Sequence, residues 1–114
     1  MRKILLTLVP LLLSGEAAQA HAFLDRANPR VGSTVRSAPR QVTLWFTQKL
    51  EPSFSSAQVT DAAGARVDQG ARVSGMQIHV SVKALPPGSY KVHWKVLSVD
   101  THTTEGSFSF RVGQ

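Results

Sequence analysis

Apolar and polar residues alternate one for one over Tyr90 to Val96 and again over Ser107 to Val112. A period of two puts one set of side chains on a buried face and the other toward water, as in a strand of a half-solvated sheet. The pattern recurs in Val42, Leu44 and Phe46. It recurs again in Met76, Ile78, Val80 and Val82, interleaved with Gln77, His79, Ser81 and Lys83, and a shorter strand is predicted over Ala57 to Asp61. No segment carries the 3.6-residue period of a helix. Turn formers separate the strands at Asn28-Pro29, Ala38-Pro39, Glu51-Pro52, Asp61 to Gly64 and Pro86-Pro87-Gly88. Tyr90 opens the longest strand just after Pro86-Pro87-Gly88, the placement of the tyrosine corner in immunoglobulin-like sandwiches. These signals predict an all-β, immunoglobulin-like Greek-key sandwich or barrel of about seven strands.

The first twenty residues belong to a different class. A basic start (Arg2, Lys3), an apolar run from Ile4 to Leu13 and the triplet Ala18-Gln19-Ala20 have the layout of a cleavable secretory signal peptide. The run is shorter than the roughly 18 residues of a membrane-spanning helix, so an exported protein that is not embedded in the membrane is expected. Residues 1–20 are thus read as the leader and residues 21–114 as one domain with a single modest core. The chain has no cysteine, so no disulfide supports that core. Its formal net charge is +6, but the arginines between Arg26 and Arg40 are spaced singly by Pro, Gly and Ser. No aromatics interleave a basic stripe, and nucleic acid is not an expected partner.

Cleavage after Ala20 makes His21 the first residue, with a free amine and an imidazole on one residue. Far downstream, Asp100-Thr101-His102 offers a carboxylate and a second imidazole. In an extended segment residues two apart share a face, which would let Asp100 and His102 converge on one ion. The alternation breaks at Leu97 and resumes at Ser107, so Asp100 to Glu105 is expected to be a loop at one end of the sandwich. The first strand would have to start at that same end. An N-terminal histidine or an Asp-x-His triplet alone is weak; their coexistence carries the reading. The donors are nitrogen and oxygen only, a set that suits Cu(II). Once the leader is gone, Met76 is the only methionine, which leaves almost no soft sulfur for Cu(I).

Several blocks of the chain also resemble the CopC family of periplasmic copper-binding proteins. They are His21-Ala22, Asn28-Pro29, Gly32, Pro39, Val42-Thr43-Leu44-Trp45-Phe46, the run from Gly88 to His102, and Gly106-Ser107-Phe108-Ser109-Phe110. The resemblance implies an immunoglobulin-like fold holding Cu2+ through the amine and imidazole of His21, the carboxylate of Asp100 and the imidazole of His102. It implies a role in copper tolerance or uptake, beside a CopD-type inner-membrane copper protein. Two departures stand out: the region from Asp61 to Met76 holds a single methionine where some members have a methionine-rich loop, and Gln48 stands where some members have an acidic residue, with Glu51 close but not aligned.

The function expected is therefore non-enzymatic: capture of Cu(II), followed by sequestration or hand-on. Two other classes stay open at this level, an oxidative enzyme using a copper brace and a sandwich used only for protein contact. His79 and His93 are read as solvated surface residues, Trp94 as core, and Glu105 as an exposed loop carboxylate. Trp45 has the opposite parity from Leu44 and Phe46, and a loop is expected to cover it.

Overall fold

A computed structural model describes residues 23–114; the leader expected over 1–20 and the candidate ligand His21 lie outside the described residues. Among the described residues eight strands form in order: β1 (Leu24–Asn28), β2 (Thr34–Val35), β3 (Gln41–Phe46), β4 (Ser56–Asp61), β5 (Asp68–Ser74), β6 (Gln77–Val82), β7 (Gly88–Leu97) and β8 (Thr103–Val112), with a 3-10 turn at Pro52–Phe54. They make two four-stranded sheets, β1-β3-β6-β5 and β2-β8-β7-β4. Taking β2 as a short continuation of the first strand, this is the immunoglobulin arrangement of four strands against three. No helix among the described residues is long and apolar enough to cross a membrane.

The alternating residues face each other between the sheets. Val42, Leu44, Ile78, Val80, Val59, Val92, Val96 and Phe110 are almost completely buried, with Phe46, Tyr90, Trp94, Phe108 and Val112 around them. Phe46 meets Trp94 edge to face with ring centroids 5.2 Å apart, and Tyr90 stacks on Phe110 at 5.6 Å. Such aromatic pairs contribute about 0.5–1.5 kcal/mol beyond area burial. The tyrosine corner forms as expected: Tyr90 Oη donates to the Pro86 carbonyl at 2.5 Å. It sits where the chain crosses from β6 in one sheet to β7 in the other, so His79 and His93 belong to different sheets.

Three sequence expectations are corrected. Met76 does not face the core; it is half exposed in the two-residue turn between Ser74 and Gln77, where Gly75 takes the left-handed conformation (φ 63°). Strand β5 was not expected, because as an edge strand it is mostly exposed and shows no apolar alternation. Strand β8 begins at Thr103, four residues before the alternation resumes at Ser107. The reason is Gly106. It faces inward opposite Trp94, and a Cβ there would lie 2.5 Å from the indole Cζ2. The tryptophan occupies the space of the missing side chain, so a core position carries no apolar residue.

Candidate metal centre

Because β8 starts so early, the β7–β8 connection runs only from Ser98 to His102, and the backbone pairing of those two residues closes a loop of three, Val99, Asp100 and Thr101. The Thr101 amide donates to the Ser98 carbonyl at 2.8 Å, and the Ser98 amide donates to the His102 carbonyl at 2.9 Å. This is the three-residue hairpin loop whose last residue is left-handed. That residue is Thr101, at φ 71°, an uncommon conformation for a β-branched side chain. Asp100 and His102 do come together, with His102 Nδ1 3.4 Å from Asp100 Oδ1. They meet across a tight turn and not along an extended segment, so the geometric reason differs from the one read in the sequence.

The pair is open to solvent, the two side chains being 41% and 51% exposed. The Asp100 carboxyl is nevertheless held below the ordinary carboxylate range. The chief cause is a hydrogen bond from the Ser98 hydroxyl; desolvation opposes it, and the His102 ring and the His102 backbone amide add to the lowering. A carboxylate that accepts several donors is already charged and oriented for a cation.

The base of the loop is fastened to the segment that follows β3. Leu50 bridges Ser98, the Glu51 amide donates to the Leu97 carbonyl at 2.8 Å, and the Val99 amide donates to the Lys49 carbonyl at 3.0 Å. The same segment holds Phe23, at the start of the described chain. The Thr47 amide donates to the Phe23 carbonyl and the Phe23 amide donates to Thr47 Oγ1, both at 2.9 Å. Residues 47–51 thus tie the start of the described chain and the Asp100–His102 loop to one end of the sandwich. Gln48 lies within this segment, and Glu51 is bound through its backbone.

The other candidates are elsewhere. His93 Nε2 is 2.8 Å from Glu105 Oε2, a cross-strand pair on the outer face of the β4-β7-β8 sheet. Glu105 is therefore a strand residue paired with His93, where a loop carboxylate was expected. In the β1-β3-β6-β5 sheet, His79 Nδ1 lies 3.1 Å from the Gln41 amide of the adjacent strand. Trp45 is covered by the Arg26 guanidinium of neighbouring β1, 4.0 Å from the ring centroid. Among the described residues no group of three or more His, Asp or Glu is gathered as for a metal ion. Asp100 and His102 supply two donors, one oxygen and one nitrogen. Sequence reasoning missed Ser98, since one serine at a strand end carries no signal of its own.

Comparison with known proteins bears on the family and the fold. Residues 24–113 match the CopC domain family. The chain is 38% identical over 110 residues to the copper resistance protein C of Xanthomonas campestris pv. juglandis, covering 88% of this chain and 86% of that one. Its fold superposes on the crystal structure of CopC from Methylosinus trichosporium OB3b with a TM-score of 0.77 at 34% identity, covering 82% of this chain and 94% of that one. PcoC, a methionine-rich copper resistance protein from Escherichia coli, superposes with a TM-score of 0.71 at 29% identity, covering 81% and 98%.

Proposed function

This chain belongs to the CopC family, and on that premise we propose that it is an exported protein that binds one Cu(II) ion and sequesters it or hands it on. The observation that carries the reading is the approach of the Asp100 carboxylate to the His102 imidazole, 3.4 Å apart on an open loop. Copper here is cargo, and the protein's part is to bind, orient and release it.

In this reading residues 1–20 are removed on export, and residues 21–114 form the working domain. His21 then completes the donor set with its amine and imidazole. It stands two residues before Phe23, a span of at most roughly 7 Å of extended chain. Phe23 is fastened to the segment that also fastens the Asp100–His102 loop, which supports a short path from terminus to loop. One carboxylate oxygen and up to three nitrogens make a hard donor set that favours Cu(II). PcoC is described as methionine rich, whereas this chain has two methionines in 114 residues and loses Met1 with the leader. A separate thioether site for Cu(I) is not proposed. Gln48 is a neutral amide, so no carboxylate is added from that position. The destination proposed is the periplasm, and the proposed recipient or donor of the ion is a CopD-type inner-membrane protein.

Copper titration of correctly processed protein tests this. About one Cu(II) should bind tightly to the chain beginning at His21, and much more weakly to the same chain carrying one extra residue before it. Equal affinities would overturn the amine ligand. Failure of the processed protein to bind Cu(II) would overturn the function.

A further inference from the structure

Ser98 is a buried polar residue at the root of the β7–β8 loop, with no solvent exposure. Its hydroxyl lies within hydrogen-bond reach of two acceptors, the Asp100 Oδ1 and, at 3.2 Å, the His102 carbonyl. A serine hydroxyl has one proton to give. The His102 carbonyl already accepts the Ser98 backbone amide at 2.9 Å, and a carboxylate is the stronger acceptor. The hydroxyl proton therefore goes to Asp100. The serine itself cannot drift: its backbone is paired with Leu50 on one side and with His102 on the other. A rigid, buried donor thus grips an exposed carboxylate, and from that geometry we propose that Ser98 is a positioning residue for Asp100, setting the carboxylate for copper without touching the ion.

The proposal rests on the copper reading above. In it, Ser98 fixes one oxygen of Asp100 toward the protein so that the carboxylate meets the incoming ion in a single orientation. Without the hydroxyl, Asp100 would rotate on an open loop, and each binding event would have to order it. Loss of a hydrogen-bond partner behind a metal ligand typically weakens binding by about 10–100-fold. The alternative role for Ser98 is to stabilise the hairpin only, in which case copper affinity would follow fold stability.

A double-mutant cycle separates the two. Ser98→Ala should weaken Cu(II) binding by about 10–100-fold in otherwise native, processed protein. In an Asp100→Ala background the same substitution should change affinity by less than about twofold, because the residue it acts through is gone. In metal-free protein, Hα–Hβ couplings of Asp100 should report one side-chain rotamer in the native chain and averaging in Ser98→Ala, with Ser98→Thr returning to the native value. An equal loss of affinity in both backgrounds, or an unchanged Asp100 rotamer distribution, would overturn the positioning role. Native protein that takes up no Cu(II) would instead overturn the copper reading on which the proposal stands.

Discussion

Asp100 Oδ1 and His102 Nδ1 lie 3.4 Å apart because Thr101, between them, turns left-handed and folds the chain back on itself. The donors of the candidate site are thus neighbours by turn geometry, while both remain open to an ion from solvent. This separates them from the other two histidines of the described chain. His93 is paired with Glu105 and His79 with Gln41, each on the outer face of a sheet.

Substitution of these residues should rank accordingly. His102→Ala and Asp100→Ala are each expected to weaken Cu(II) binding by more than the roughly 10–100-fold typical of lost supporting residues. His79→Ala and His93→Ala should leave it within about threefold, since neither joins the site. Isothermal titration of all four variants checks the order, and the reverse ranking would refute the site.

The left-handed turn makes Thr101 a test of the loop. An L-residue there costs roughly 1–2 kcal/mol, which glycine avoids, though glycine loses more freedom on folding. Thr101→Gly is therefore expected to fold with a melting temperature at or slightly above the native one and to keep copper binding. Thr101→Pro cannot reach φ 71° and has no amide for the Ser98 carbonyl, so it should lose tight copper binding. A proline variant that binds copper normally would show that the loop does not organise the site.

Gly106 and Trp94 share one core space. In Gly106→Ala the new Cβ would lie 2.5 Å from the indole Cζ2, so the ring, which packs edge to face with Phe46, would have to shift. Overpacking of this kind costs about 1–3 kcal/mol. Urea unfolding should show that loss, with a shift in tryptophan emission from the native fold; an unchanged midpoint would mean the indole can move aside.

Acid stability should depend on Asp68. Its carboxyl is held below the ordinary value of 3.8, chiefly by the hydrogen bond from Arg66, and it also accepts the Val59 amide at 2.9 Å. The Arg66–Asp68 contact is 2.8 Å, with the aspartate side chain only 7% exposed. A carboxyl whose folded pKa is depressed contributes stability above its unfolded pKa and loses it as pH falls through the folded one. The native protein should therefore weaken as pH drops below about 4, and Asp68→Asn should be less stable at neutral pH with a flatter acid limb. Denaturant midpoints measured from pH 7 to pH 3 would show it; parallel curves for the two proteins would remove Asp68 from the explanation.

Much of the fold is legible in the alternation because sandwich strands must bury every second side chain. Val42, Leu44 and Phe46 are legible in this way, as are Ile78, Val80 and Val82 and the inward set of β7 from Tyr90 to Val96. The pattern fails where burial is absent or is supplied by a neighbour. Edge strand β5 has little to bury, Met76 sits in a turn, and Gly106 leaves its place to Trp94. Trp45 lies under the side chain of Arg26, a contact between residues nearly twenty apart in the chain.

The sequence by itself determined the class of fold, the corner at Tyr90 and the residue types of the candidate site, because period-two burial and donor chemistry are local properties of the chain. Only the tertiary structure decided that a three-residue turn, and not an extended run, joins Asp100 to His102. It alone set a buried Ser98 behind the carboxylate and fastened Phe23 and Val99 to the same segment. The turn and the Ser98 contact are closed by bonds between residues two to four apart, whose residue types do not announce a tight turn, while the fastening of Phe23 to Thr47 and of Val99 to Lys49 joins segments far apart in the chain, which no spacing within one segment encodes.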